Sequence, residues 1–374
     1  MAFVIADALA SLPVELLPDT PARSQPLAPG FLVVLDGTWD GELLRDATLV
    51  WHQAAPVTTA QHEFARLAWR GTGRHLAARG AALAEVRSYF ESQRFIEVET
   101  PARVRAPGLD AHVEPIRAEG GWLVTSPELH LKRLLVGGLP RVFEVARCHR
   151  DEELGRYHEP EFTLVEWYRA FEPVDAVMGD TEQLVCAVVQ RVSGRSVVEH
   201  LGRRVTVEPP FARLSVSEAF ARYAGCDDGV ELAGRDHDAW FRLWVERIEP
   251  AIASYERPVF VTDYPMVHAA MAQPKPSDPR VAERFELYCA GVELCNGYGE
   301  LTDPDEQAAR MQAELQRRVQ CGQAALPIDQ RFLLGLREGL PPCSGNALGF
   351  DRLVMLAARA EVMADVIAFP WEVN

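Results

Sequence analysis

The chain has 374 residues, 48% hydrophobic and 25% charged, which suits one large domain with a small appendage and excludes a disordered polymer. Its net charge of −16 argues against a surface built to coat nucleic acid, and no apolar run approaches the roughly 20 residues of a membrane-spanning helix. Seven cysteines (148, 186, 226, 289, 295, 321 and 343) show no CxxC spacing and no paired framework, so a reducing cytoplasm is the expected setting.

Residues 1–30 are rich in Pro and Ala and show little periodicity; the N-terminus lacks a basic segment and does not read as a signal peptide. FLVVL, the turn DGTWDG and ELLRDATLVW then read as a strand, a tight connection and further strand, a small β unit over 1–70. That segment holds eight acidic residues against four arginines, which fits a packing appendage better than an RNA-binding module. From about 72 the pattern turns helical, with Leu76, Leu83, Val86 and Phe90 on one face. FIEVETP (95–101) follows as an edge or interface strand that stops at Pro101.

TSPELHLKRL places Pro127 just before a helix that opens on Glu128. Residues 141–170 read as a strand, a charged loop carrying Arg150, and a second strand. In that second strand Phe162, Leu164, Glu166 and Tyr168 share a face opposite Thr163, Val165, Trp167 and Arg169. An aromatic ring, a carboxylate and a phenol on one face suit a pocket floor, although Glu166 paired with an arginine and Phe162 as plain core are the ordinary alternatives. Arg150 and Glu152 share a face if the preceding strand stays extended. Residues 173–256 look like an insertion, with helices at 177–192 and 237–249.

RFELYCAGVELCNGYGELTD (284–303) reads as a hairpin turning at Ala290-Gly291. A two-residue turn sets Tyr288 opposite Glu293, with Glu286 diagonal to Glu293 on the same face. Two adjacent carboxylates repel unless a cation or proton lies between them, and magnesium is the natural cation; solvent-facing glutamates are the alternative. Asn296 and Glu300 extend the polar line. A helix over 305–320 and a loop with Pro327 follow. The Gly-bearing turn GNALGFDRLVMLA (345–357) then runs into a helix with Arg352 on its first turn. Arg150 and Arg352 are each costly to bury without an anion, and an ordinary salt bridge is the alternative for Arg352. Glu128 in turn could simply complement a helix dipole.

Five segments in order, TSPELHLKRLLVGG, GRYHEPEFTLVEWYR, VAERFELYCAGVELCNGYGELTD, LPIDQRF and CSGNALGFDRLVML, resemble the catalytic domain of class II lysyl-tRNA synthetases. They resemble more closely its truncated relatives, the elongation factor P–(R)-β-lysine ligases, over about 75–374. The resemblance implies an α+β class II synthetase fold, a central antiparallel sheet flanked by helices, over 71–374 with an insertion at about 173–256. It implies a homodimer formed through the helix from about 72 and the strand FIEVETP (95–101) with its proline, which look like motif 1 of that family. It also implies ATP and Mg2+ as cofactors, lysine or (R)-β-lysine as substrate, and elongation factor P as protein acceptor, with no stable nucleic acid and no membrane.

Residue by residue, the resemblance implies that Arg150 binds the α-phosphate, Glu152 the adenine edge, and Phe162 the adenine face. Arg352 and His158 would hold the γ-phosphate, Glu286 and Glu293 magnesium, with Asp151, Glu159, Leu294 and Gly349 also against ATP. Ser126, Pro127, Glu128, Glu166, Tyr168, Glu300 and Ala347 would line the amino-acid pocket. Ser126 and Ala347 stand where lysyl-tRNA synthetases carry Ala and Gly, which points to the ligase, as does a length with no room for an anticodon-binding barrel. Asp151 and Glu159 each replace an Asn of the family pattern. A tRNA-charging enzyme and an inactive paralogue acting as a binding module are the rival readings.

Overall fold

The structure is a computed structural model that describes residues 2–6, 9–17, 31–53, 63, 65–269 and 271–373. The chain divides into two compact units, residues 1–80 with 366–368, and residues 81–365 with 369–374. The first contains a four-stranded sheet of β1 (Ala2–Ala6), β2 (Ser11–Leu16), β3 (Leu32–Trp39) and β4 (Leu44–Gln53), in the order β1-β2-β4-β3. β3 and β4 match the strands expected there, but β3 runs on through Trp39, so the turn lies at 40–43 and not at DGTWDG. β1 and β2 fall in a stretch without evident periodicity. Val14 and Leu16 alternate with exposed Glu15 and bury against Ala47, a short signal hidden by Pro13.

The second unit is built on an eight-stranded sheet. Its strands are β5 (Ile96–Glu97), β6 (Arg141–His149), β7 (Glu161–Ala170), β8 (Ala212–Ser215), β9 (Val259–Thr262), β10 (Arg284–Cys289), β11 (Val292–Gly299) and β12 (Cys343–Gly349). Their order is β8-β9-β10-β11-β12-β7-β6-β5. Pairing is antiparallel from β9 to β6, while the outermost pair at each end, β8–β9 and β5–β6, is parallel, which makes the sheet mixed. The segment 95–101 does supply an edge strand, but only two residues of it pair. β8 comes from within 173–256, so the segment with the look of an insertion also contributes to the main sheet.

One face of the sheet is covered by helices. α1 (Thr72–Ser92) buries Val86 and Phe90, and the Phe90 ring stacks on Phe143 at 4.4 Å and meets Trp167 at 5.3 Å. α3 (Val174–Ser193) buries Val177, Leu184 and Val188, and its Asp180 accepts two 2.6 Å hydrogen bonds from Arg169. Trp167 and Arg169 therefore point away from the face that carries Glu166 and Tyr168, as strand alternation requires. The opposite face is bounded at one end by α2 (Glu128–Val136), α5 (Pro304–Gln320) and α6 (Gln330–Gly339), whose Leu131, Met311, Phe332 and Leu336 share one apolar cluster. At the other end lies a cluster of Phe220, Trp240, Trp244 and Ile248, with Trp240 on α4 (His237–Leu243). β12 runs directly into α7 (Phe350–Ala357) at Gly349, so a strand and a helix, β12 and α6, occupy a region expected to be loop and turn. No helix among the described residues is long and apolar enough to cross a membrane.

Candidate active site

Strand register brings the polar residues of the open face into line. Glu166 on β7 pairs with Ala347 on β12, Ala347 with Asn296 on β11, and Asn296 with Glu286 on β10. The neighbouring row runs Tyr168, Gly345, Tyr298, Arg284 by the same pairings. Members of one transverse row point to one side, so eight residues from four strands face the same space. Above them lies a cavity of about 510 Å3, in the size range of small-molecule sites. Gly345 is required here by the close approach of a ring. A Cβ on it would stand 2.2 Å from the Tyr168 ring, so only glycine lets the phenol lie across the sheet.

The turn at Ala290-Gly291 sits where it was expected, with both residues at positive φ, and Tyr288 does oppose Glu293. The register then slips by one residue, because Leu294 is bulged out of the ladder and Glu286 comes to face Asn296. Glu286 and Glu293 both line the cavity nonetheless. Glu286 is firmly held. It accepts hydrogen bonds from Tyr264 (2.5 Å) and Tyr288 (2.7 Å) and pairs with the Arg284 guanidinium. Glu293 is held more loosely, its carboxylate 4.0 Å from the Arg352 guanidinium, and desolvation together with the Glu286 charge holds its carboxyl above the usual range against the pull of Arg352, Arg284 and Arg150. A raised carboxyl beside a fixed carboxylate is the electrostatic setting that a cation relieves. Among the described residues, no three or more His, Cys, Asp or Glu side chains are grouped to hold a metal. Two carboxylates, with phosphate and water completing the shell, fit magnesium.

The phosphate-type residues gather at one end. Arg352, on the first turn of α7, donates to the backbone carbonyls of Glu293 (2.9 Å) and Tyr157 (3.1 Å) and lies 2.8 Å from His158 Nε2. Arginine can only donate, so His158 Nε2 accepts and the imidazole is neutral; desolvation and the Arg352 charge push its pKa down accordingly. Arg150 lies over the Phe162 ring at 5.0 Å and 3.6 Å from Glu153, so a guanidinium covers the ring face expected to stack on adenine. Arg150, His158, Glu159, Phe162, Glu293, Leu294, Gly349 and Arg352 all line the cavity. Buried Glu159 accepts a hydrogen bond from the Trp371 amide at 2.9 Å, which gives the replaced Asn position a partner of its own.

The expectation for the loop after Arg150 is not met. β6 ends at His149, and Glu152 takes a left-handed φ of 62°, so Arg150 and Glu152 do not share an extended face. Asp151 and Glu152 are exposed and stand outside the cavity wall, whereas Glu153 lines it.

At the other end stand Ser126, Glu128, Glu166, Tyr168 and Ala347, all in the wall. Glu166 is fully buried and accepts from the Ser126 hydroxyl and the Tyr168 phenol, both at 2.7 Å. Burial, and then the Glu128 charge, push its pKa up to about 8 despite these donors. Pro127 and Glu300 are not in the wall. Pro127 caps the start of α2, and Glu300 lies behind the surface with its carboxylate 2.5 Å from Lys132 Nζ. Sequence reasoning missed Lys132, Glu153, Arg284, Tyr264 and Gly345. For Lys132 a signal existed, since it follows Glu128 by one helical turn.

Residues 57–373 match the family model described as tRNA synthetases class II (D, K and N). Enzymes of that family are ligases that activate amino acids with ATP and magnesium. With that match spanning both arginines, the acidic wall and the sheet between them, the chain belongs to the class II tRNA synthetase family of the D, K and N type.

Proposed function

We propose that the chain activates a lysine-type diamino acid, lysine or (R)-β-lysine, as its acyl-adenylate and transfers it to a lysine side chain of elongation factor P. The observation that carries this reading is a single cavity with guanidinium groups at one end and buried carboxylates at the other. An anionic nucleotide suits the first end, and a substrate with two ammonium groups suits the second, where unpaired carboxylates are costly. Ser126 bonded to Glu166, with Ala347 beside it in the row, narrows the pocket at the positions where the ligase wording departs from the tRNA synthetases.

In the first step the substrate carboxylate forms a bond to the α-phosphorus of ATP and pyrophosphate leaves. Arg150, released from Glu153, stabilises the charge that builds on the α-phosphoryl oxygens. Arg352, fixed by two backbone carbonyls and by neutral His158, presents its charge to the outer phosphates. Glu293 beside Glu286 would hold magnesium, which would supply neutralisation of phosphate charge there. Glu128 and Glu166 orient the ammonium groups so that the carboxylate approaches in line. In the second step an acceptor amine attacks the acyl carbon, AMP leaves, and an amide forms.

Incubation with labelled lysine isomers, ATP and either elongation factor P or tRNA tests the assignment. Label on the protein is the expected result. Stable label on tRNA with none on the protein would replace the acceptor with RNA, as family membership alone would suggest. No pyrophosphate exchange with any isomer would favour an inactive binding module.

A further inference from the structure

Glu159 is a carboxylate in the cavity wall at the end that holds the two arginines, and no step of the reaction uses it. It is 4% exposed, and a buried carboxylate there would repel a triphosphate unless it were engaged elsewhere. Its Oε2 accepts a hydrogen bond of 2.9 Å from the backbone amide of Trp371, which opens the short helical turn Trp371–Val373. Desolvation raises the Glu159 pKa and the Trp371 amide pulls it back, while the Glu372 and Asp351 charges add to the rise. The residues on either side of Glu159 reach the arginines. His158 Nε2 accepts from Arg352 at 2.8 Å, and the Pro160 carbonyl accepts from the Arg150 amide at 2.9 Å. The same loop is tied to the C-terminal segment a second time. There the Met363 amide donates to the Arg156 carbonyl at 2.9 Å, and Arg156 Nη1 donates to the Glu361 carbonyl at 3.4 Å.

We propose that the Trp371 amide and Glu159 form a latch by which the C-terminal segment holds loop 150–160, and with it Arg150 and Arg352, in the arrangement that grips ATP. This rests on the reading that these arginines take the phosphates. Glu159 is thus a positioning residue that acts through His158 and Pro160, with its charge directed to the chain and not to the nucleotide. With the latch open each arginine keeps its other contacts, Arg352 to the Glu293 and Tyr157 carbonyls and Arg150 to Glu153. Opening it therefore loosens the spacing of the two guanidinium groups. The amino-acid end shares none of these bonds, since Glu166 is held by Ser126 and Tyr168.

The test is pyrophosphate exchange by the full-length protein, with KM measured separately for ATP and for whichever of lysine and (R)-β-lysine supports exchange. Trp371→Pro deletes the amide hydrogen, and proline suits the first position of a helical turn. Trp371→Ala keeps the amide and loses only an indole that is 62% exposed. The proline variant is expected to raise KM for ATP about tenfold, the contribution of one hydrogen bond to a carboxylate, with KM for the amino acid within about twofold of the wild type. The alanine variant is expected to match the wild type. Glu159→Gln keeps an acceptor oxygen at the same reach and is expected to stay within about threefold on KM for ATP. Glu159→Leu is expected to match the proline variant and, combined with it, to add nothing further. A proline variant with the wild-type KM for ATP overturns the proposal, because Glu159 would then act without the latch. So does a rise shared by the alanine variant, or an equal rise in both KM values, which a general loss of structure would give. Should the proline variant not fold, an ester in place of the Pro370–Trp371 amide removes the same hydrogen and is read in the same way. A wild type silent with both isomers would instead bring down the functional reading, and this inference with it.

Discussion

Removing the Tyr168 hydroxyl isolates one interaction at the amino-acid end. Tyr168→Phe leaves the ring lying over Gly345 and deletes only the donor 2.7 Å from Glu166 Oε1. Glu166 then keeps Ser126 as its remaining donor. A hydrogen bond to a charged group contributes about 1.5–3 kcal/mol, equal to about one to two pH units at 1.4 kcal/mol each. The Glu166 pKa, already raised to about 8 by burial, should therefore move upward by that amount. A carboxylic acid binds an ammonium group poorly, so wild-type affinity for the diamino acid should improve as pH rises towards 8 and level off above it. In the variant, KM near neutral pH should be about 10- to 100-fold higher, and the levelling-off should occur at correspondingly higher pH. Pyrophosphate exchange measured from pH 6.5 to 9.5 checks this. A variant with the wild-type pH midpoint would show that Glu166 does not carry the titration, and the electrostatic reasoning for that end of the cavity would fail.

Arg352→Ala should weaken the use of ATP, seen as a higher KM for ATP in exchange; unchanged adenylate formation would refute its assigned role. Gly345→Ala should strain the sheet where a Cβ meets the Tyr168 ring, lowering stability by about 1–3 kcal/mol. Calorimetry reads this loss, and an unaltered melting temperature would mean the ring moves aside freely. Ala347→Gly should shift preference from β-lysine towards α-lysine, and an unaltered ratio of kcat/KM values would count against the pocket argument.

The strands that carry the site were legible because their side chains alternate strongly. EFTLVEWYR assigns each residue to a face, and the structure keeps that assignment, with Trp167 and Arg169 on one side and Glu166 and Tyr168 on the other. β12 escaped notice because its GNALG stretch lacks the branched and aromatic residues that mark a strand. Gly345 in it is there because the ring of Tyr168, distant in sequence, lies across it. The α6 helix did announce itself, with Asp329 ahead of Phe332, Leu333 and Leu336, yet the nearby Pro327 suggested a loop. The position of Glu152 depends on a left-handed backbone that no local pattern encodes. Glu300 was placed on the polar line by the strand pattern and in the amino-acid pocket by the resemblance, and its position behind Lys132 depends on a contact between segments distant in sequence.

The transverse rows carry a consequence for how such a protein tolerates change. Sliding any of the four strands by a single residue would turn its contribution to the cavity inside out and bury the opposite set. Ligand recognition and correct pairing of the sheet are thus one event, and a partly misaligned molecule should have no reduced form of activity to offer. The bulged Leu294, itself in the cavity wall, is the one extra residue this strand pair already holds, and it sets the direction in which the neighbouring Glu293 is presented.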